Sequence, residues 1–433
     1  MNKKVVIVGA GPVGLLLAHY LLGRDSYQID IYERRSDPRT VSFSKSRSYP
    51  VVINQRGIEA LSNIEGVFEA LKATSVESVG SMIHLKDAKT RVLPREKPIY
   101  ILDRTHLVIT LLETLTKKYD SSRLNIHFDH RCKLLDFEAN IVTFENVAST
   151  AEVCANYNLL IGADGSKSRV REKFLSQDLF EFEQKYIPYA YKSIFLTTDE
   201  PPSLQPGYIH TWRAGNGIAA TLVPLRDGTI SGTINFPRKN NAIANFSTTE
   251  DVVQFFRYNF PEISQLLSLE EAEAFLNRPI SNILTIRCSH YHYSDSVLLI
   301  GDAAHATSPS LGQGCNAAFE DVVIFNTLLN EYSDNWAEAL AQFTLRRKPD
   351  AHALVELSDN AFPMSDKLLF FEFFIRLRSA QILHQLFPKR FSKSLLQLVS
   401  ETTLPYSEIL NTYQNWITKV KQSNKRYMTK TEI

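Results

Sequence analysis

The 433-residue sequence has only four cysteines and no Cys-x-x-Cys pair. Cys132, Cys154, Cys288 and Cys315 are too scattered to frame a disulfide scaffold or a zinc site, so no metal is expected and a reducing compartment, the cytoplasm, fits best. No stretch reaches 18 consecutive apolar residues, which excludes a membrane-spanning helix. Charge of one sign is also missing. Forty-eight Lys+Arg against 47 Asp+Glu leave a net charge of +1, too little field to hold a polyanion, and nucleic acid is excluded as a partner. There is no internal repeat and no low-complexity tract. The Asn2-Lys3-Lys4 start and the apolar run to Leu22 imitate a secretory signal, but Gly9, Gly11, Pro12 and Gly14 interrupt the run and no small-residue cleavage site follows.

What is present is an ordinary globular composition, 44% hydrophobic and 22% charged, in a chain of two to three domain lengths. Val5 to Val8, Leu15 to Leu22 and Ile29 to Tyr32 read as strand, helix and strand, one βαβ unit with a parallel pair inside it. Asp103 to Lys118 reads as a helix, and Leu159 to Ile161 as a further strand. From Ile187 to Pro237 the texture changes to alternating, aromatic-rich strands, an antiparallel sheet. Val297 to Ile300 returns to a buried strand, followed by a helix from about Asn316. Beyond Arg346 the chain is mostly helical, with breaks at Pro363, Pro388 and Pro405 and a frayed polar end from Lys419 to Ile433.

Gly9-Ala-Gly11-Pro12-Val13-Gly14 stands directly after a strand and opens a helix, the context a dinucleotide turn requires. Gly9 permits the tight turn, Gly11 lets a pyrophosphate approach the backbone, and Gly14 brings helix against sheet, with the helix N-terminus facing the phosphates. Glu33 closes the second strand, where a carboxylate accepts from ribose hydroxyls and disfavours a 2′-phosphate. This motif alone leaves FAD and NAD open. Two later turns, Gly162-Ala-Asp164-Gly165 and Gly301-Asp302-Ala-Ala-His305, each put a carboxylate at the end of an apolar strand. Downstream runs Pro309-Ser-Leu311-Gly312-Gln313-Gly314-Cys315-Asn316, whose glycines let backbone lie against a flat ring while the following helix aims its positive end at it.

In that order and separation the three turns resemble the single-component FAD-dependent aromatic hydroxylases, the 4-hydroxybenzoate hydroxylase family. Ile31-Tyr-Glu33-Arg34-Arg35, Met82-Ile-His84, Gln184-Lys-Tyr186-Ile-Pro188, Tyr208-Ile-His210-Thr-Trp212, Cys288-Ser-His290-Tyr-His292 and Gly301 through Asp321 look most like its kynurenine 3-monooxygenase branch, over roughly residues 3 to 360. The resemblance implies an α/β fold. A discontinuous Rossmann-type FAD-binding domain would take residues 1–72, 99–175 and 277–345, an antiparallel β-sheet substrate domain 73–98 and 176–276, and a C-terminal helical region 346–433. It further implies Glu33, Arg34 and Arg35 at the adenosine half of FAD, Arg47 and Arg104 as FAD contacts, and Asp164 structuring the FAD and nicotinamide side. Gly301, Asp302, Pro309, Gly312, Gln313, Gly314, Cys315 and Asn316 would meet the pyrophosphate, ribityl chain and ring. The implied activity is hydroxylation of a small aromatic substrate with NADPH or NADH and O₂, through a flavin C4a-hydroperoxide. An FAD dehydrogenase or reductase without oxygen insertion, and a non-enzymatic FAD-containing interaction protein, stay open as alternatives.

On the substrate side the sequence departs from the branch. Ser81 stands where the branch has an arginine that grips the substrate carboxylate, Ala361-Phe-Pro-Met-Ser365 replaces an Asn-Tyr-x-Glu-Met segment, and leucine near Leu395-Leu396 replaces a tyrosine. Arg91, Arg95 and Lys86 are the candidates to stand in for the missing cation. Tyr100 lies near the branch's pocket tyrosine. Strand alternation puts Tyr208, His210 and Trp212 on one face, and Ala219, Thr221 and Val223 on one face of a neighbouring strand; one of these faces should roof the flavin, and the aromatic set can instead be sheet core. The expected pocket is therefore Ser81, Tyr100, His210, Trp212, Thr221, Val223 and Leu311. No residue offers itself as catalytic acid or base, and His305 reads as structural. The apolar run Leu368 to Ile375 is expected as a buried helix over the pocket, with peripheral membrane contact as the other reading.

Overall fold

A computed structural model describes residues 3–41, 49–85, 89–176, 179–197, 204–215, 217–239, 241–363 and 366–432. The strand Lys3–Val8 is β-branched and apolar from Val5 on, and its last four residues are buried, as a strand covered on both faces must be. It pairs in parallel with Tyr27–Tyr32 on one side and with Leu159–Gly162 on the other. Leu124–His127 extends the first side and Val297–Leu299 the second, both parallel, and the short antiparallel strand His292–Tyr293 closes that edge. The chain leaves the central strand in opposite directions, so a crevice opens at that strand's carboxyl end, where Gly9 and Ala163 meet.

A second, eight-stranded sheet runs in the order Ser281–Cys288, Phe182–Leu196, Ile230–Pro237, Ala219–Pro224, Tyr208–Arg213, Val76–His84, Thr90–Asp103 and Pro50–Ile53. It is antiparallel except where Tyr208–Arg213 lies parallel to Val76–His84. This sheet reaches past the expected limits of the substrate unit, taking in Pro50–Ile53, the end of Thr90–Asp103 and Ser281–Cys288. One of its faces is covered by the helices Thr249–Asn259 and Leu269–Asn277, through Phe255, Phe256, Phe260 and Phe275. A third sheet of three strands, between His130 and Asn156, flanks the first.

After the Gly314–Glu331 helix the chain is helical: Trp336–Asn360, Lys367–Leu386, Leu395–Glu401 and Tyr406–Glu432. Two expectations fail here. The chain does not fray at Lys419, since the last helix continues to Glu432 and buries Val420 against its neighbours. The Leu368–Ile375 run is buried only through Leu369 and Phe373, while Leu368, Phe371 and Ile375 face solvent, because a helix presents its residues all round and this one packs on a single side. Among the described residues no helix is long and apolar enough to cross a membrane.

Candidate active site

The first glycine turn is forced by its neighbours. Gly9 has φ +108°, and a β-carbon there would stand 2.6 Å from the Ala163 carbonyl oxygen. One on Gly14 would stand 2.2 Å from the Gly9 oxygen. Gly11 is different: its backbone is extended, and an added β-carbon would meet nothing nearer than Nη2 of Arg104 at 3.8 Å. Pro12 opens the helix Pro12–Leu22, whose first turn carries no acidic residue. Glu33 fixes this turn, its Oε2 accepting from the Ala10 amide and its Oε1 from the Arg35 amide, each at 3.0 Å. Arg34 and Arg35 are exposed beside it.

The other turns converge on the same place. Gly301 has φ +61°, and a β-carbon on it would lie 3.1 Å from Val13, so its turn touches the Gly9–Gly14 turn. One on Gly314 would lie 4.0 Å from Asp302 Oδ1. Asp302 is reachable by water yet walled by protein, as a residue lining a deep cleft is; burial raises its carboxyl, with His305 and Arg104 opposing. The Arg104 guanidinium is raised, its burial outweighed by Tyr49, Asp302, Cys315 and Glu33 around it. Burial pushes the Cys315 thiol up to about 12. Pro309–Leu311 forms a short 3-10 turn, and Gly312 follows it at φ +64° against Val52. Arg47 lies outside the described residues.

Asp164 Oδ2 accepts from the Arg169 amide at 2.6 Å, fixing the start of the Arg169–Phe174 helix. Its Oδ1 is buried without a hydrogen-bond partner among the described residues, and burial raises the carboxyl. Arg171 ties this turn to the Asp302 helix, donating to Ala303 O at 2.8 Å and Ser166 O at 2.6 Å.

Two residues expected at the cofactor direct their side chains into the protein. The Asn316 side chain turns into the protein, accepting from the Asn54 amide at 2.9 Å and donating to Val52 O at 2.8 Å and Gly312 O at 3.1 Å. Gln313 is buried likewise, its Oε1 accepting from Asn54 at 2.7 Å and Tyr406 at 3.1 Å. Both side chains brace the turn from behind. Sequence reasoning missed Asn54 and also Asp321, which is fully buried and accepts from the Gly301 amide at 2.9 Å and His305 Nε2 at 2.7 Å while pairing with Arg347. His305 is thus a structural residue. Tyr49 and Tyr191 were missed as well; their rings meet edge to face at 6.4 Å, and both are charge-coupled to Arg104 and Asp302. Only their position in space could have revealed them.

The strand register decides the substrate side. Trp212 pairs with Ala220 and His210 with Leu222, and these residues lie under the helical layer, where Trp212 Nε1 donates to Glu262 Oε2 at 2.7 Å. His210 and Trp212 are therefore not pocket residues, since one sheet face cannot serve both layers. Thr211, Thr221 and Thr233 line the opposite face, with Val223 packed beside Ile99, Ile101 and Val52. Tyr100 is also displaced, its ring meeting Phe68 on the far side from Ile99. Ser81 lies on the inner face next to Ile209, and Arg95 Nη2 donates to its hydroxyl at 2.9 Å, with Nη1 3.4 Å from Ser78 Oγ. Burial lowers Arg95, with Glu401 opposing, and no ion pair to it is found among the described residues. Leu311, Leu93, Phe362 and Phe374 close this face against the C-terminal helices. Lys86, Met364 and Ser365 lie outside the described residues.

The cradle fits a flavin dinucleotide. Its glycines approach backbone where a side chain could not, Arg104 sits over the open space at Gly11, and a helix N-terminus free of acids faces the same point.

Known proteins bear on this arrangement. Residues 2–358 match the family model described as FAD binding domain. Kynurenine 3-monooxygenase of Drosophila willistoni is 32% identical over 418 residues, covering 94% of this chain and 90% of that protein. Among solved structures, 2-methyl-3-hydroxypyridine-5-carboxylic acid oxygenase aligns with TM-score 0.68 at 17% identity over 83% of this chain and 90% of the other. The Klebsiella pneumoniae HpxO variant complexed with FAD aligns with TM-score 0.64 at 18% identity over 98% of both. At such identities the two structures speak for the fold alone.

Proposed function

The chain belongs to the FAD-binding-domain family, and from that premise we propose an FAD-dependent monooxygenase that hydroxylates a small aromatic substrate carrying an acidic group, with NADPH or NADH as reductant and O₂ as oxygen source. Bound FAD supplies the redox chemistry, accepting a hydride and activating oxygen. The residues do the rest. Gly9, Gly11 and Gly14 with Pro12 and Val13 hold the pyrophosphate, Arg104 neutralises it, and Glu33 with Arg34 and Arg35 receives the adenosine half. Gly301, Asp302, Asp164 and the Pro309 to Asn316 turn hold the ribityl and ring end, the amides at the start of the Gly314–Glu331 helix stabilising negative charge on the ring.

The inner sheet face, with Thr221 and Val223, roofs that space. Leu311, Leu93, Phe362 and Phe374 exclude water, which would divert the activated oxygen. Arg95, braced by Ser81, holds the substrate's acidic group: its half-buried guanidinium forms no ion pair among the described residues, Glu401 acting on it only through space, and so can pair with a ligand's carboxylate. Positioning and water exclusion suffice, and no side chain needs to act as acid or base. Four free cysteines support a cytoplasmic setting.

The observation that carries this reading is the convergence of three glycine turns on Arg104 and Asp302. The test is turnover of aromatic acids under ¹⁸O₂. Label in the product is expected; label arriving from water instead, or NAD(P)H oxidation with no oxygenated product, defeats the monooxygenase reading.

A further inference from the structure

Gln313 precedes the Gly314–Glu331 helix and ties the turn before it, its Nε2 donating to Leu311 O at 3.0 Å. Its Oε1 accepts twice, from Asn54 Nδ2 at 2.7 Å and from the Tyr406 hydroxyl at 3.1 Å. All three residues are buried. Hydrogen bonds in such a place fix position more firmly than at a surface, because no water stands ready to replace a lost partner. Asn54 caps the Gln55–Ser62 helix, whereas Tyr406 opens the Tyr406–Glu432 helix near the far end of the chain. The C-terminal region thus reaches the back of the Gly312–Gly314 turn through a tyrosine hydroxyl.

The surroundings of that hydroxyl favour donation. The Arg56 guanidinium lies over the Tyr406 ring, 4.0 Å from its centroid, and draws electron density from the phenol. Burial raises the hydroxyl's pKa, with the Arg56 charge opposing, so the proton stays on Tyr406 and is available to Gln313. Arg56 also donates to Val399 O at 3.2 Å, Thr402 O at 2.7 Å and Leu404 O, and pairs with Glu320 at 3.0 Å. These bonds fix the segment that leads into Tyr406. Phenylalanine at position 406 would fill the same space and keep the cation over its ring, so what the hydroxyl adds is the bond to Gln313. We propose that Tyr406 is a positioning residue for the flavin: its hydroxyl, acting through Gln313, sets where the Gly312–Gly314 backbone lies against the ring and how well that turn stabilises negative charge there. The inference rests on the reading that this turn meets the ring end of FAD.

The experiment compares the full chain with Tyr406→Phe and with Tyr413→Phe. Tyr413 is a half-buried tyrosine of the same helix whose hydroxyl donates to Lys393 O at 2.7 Å rather than to the turn. Thermal midpoint, FAD affinity of the apoprotein and midpoint potential of the bound flavin are measured for each. Tyr406→Phe is expected to keep FAD and lower the potential, its affinity for reduced relative to oxidised cofactor falling about three- to tenfold, the range one hydrogen bond covers. Tyr413→Phe is expected to lower the thermal midpoint comparably and leave the potential unchanged. Gln313→Leu should lower the potential too, and adding Tyr406→Phe to it should lower it no further, because both act through one contact. A Tyr406→Phe potential equal to wild type, whatever its FAD affinity, or shifts that add in the double variant, overturns the positioning role. A wild-type chain that takes up no FAD overturns instead the flavin reading on which the role rests.

Discussion

Nη2 of Arg95 donates to the Ser81 hydroxyl at 2.9 Å across two paired strands, so a cation from the Thr90–Asp103 strand occupies the ground that Ser81 faces. The serine serves as a bracket for that guanidinium. Losing a charge-assisted hydrogen bond costs about 1.5–3 kcal/mol. Arg95→Gln is therefore expected to raise KM for an acidic aromatic substrate roughly ten- to a hundredfold, leaving flavin content unchanged, with Arg95→Lys intermediate. Steady-state kinetics beside flavin absorbance checks this, and an unchanged KM removes Arg95 from the pocket.

The same contact fixes what happens at position 81. Ser81→Arg would put a second guanidinium against Arg95, and like charges in a half-buried site repel. The single substitution is expected to weaken binding of acidic aromatics, and Ser81→Arg with Arg95→Ser to recover it. Substrate-induced spectral titration reads both; tighter binding by the single variant would contradict the placement.

Gly9 and Gly11 separate folding from cofactor retention. Gly9→Ala meets backbone at 2.6 Å in a left-handed conformation, and the protein is expected to fail to fold. Gly11→Val meets only open space and the end of Arg104, so the chain folds but the pyrophosphate loses its approach. Far-UV circular dichroism with flavin absorbance distinguishes the outcomes, and a Gly11→Val protein with full flavin would relocate the dinucleotide.

These turns were legible because everything they need is local: an apolar strand, glycines at fixed spacing and a helix start. The sheet was less so. Alternation sorts Tyr208 to Trp212 and Ala219 to Val223 into faces, but only the pairing of Thr211 with Thr221 and Trp212 with Ala220 says which face each set shares. Arg95 reaching Ser81 likewise depends on a hairpin whose register shifts between Ser78 and Gly80. The Asn54–Gln313–Tyr406 cluster joins three distant chain positions, and no local pattern marks it.

Asp321 holds the Gly301 turn from behind. Its carboxyl is lowered: burial works against this, but the His305 and Arg347 charges and their hydrogen bonds prevail. A depressed acid stabilises the fold above its ordinary value of about 4 and loses that contribution as pH falls through the folded value. Asp321→Asn takes one carboxylate from the buried Arg347, leaving Glu320 at 2.8 Å and Asp350 at 3.7 Å, and is expected to cost about 1.5–3 kcal/mol for the lost charged hydrogen bond, to release FAD, and to flatten the acid limb of stability. Denaturant unfolding between neutral and acid pH measures it; a variant with wild-type stability would mean that Glu320 and Asp350 suffice for Arg347.

Asp359 has the opposite sign. Its side chain is 7% exposed, its nearest cation is Lys185 at 4.0 Å, and its Oδ1 lacks a partner among the described residues. Burial raises its carboxyl to about 6, with Lys185 and Arg287 opposing. The folded protein then holds this proton more tightly than the unfolded chain, so a penalty builds up as pH rises from about 4 to about 6 and stays constant above. Asp359→Asn removes the penalty, and Lys185, 45% exposed, loses little because water solvates it. The variant is expected to gain about 2–3 kcal/mol at neutral pH and nothing near pH 4. Thermal midpoints across that range decide it: a gain independent of pH would arise from packing, and a loss at neutral pH would show that the Lys185 pair outweighs the burial of the charge.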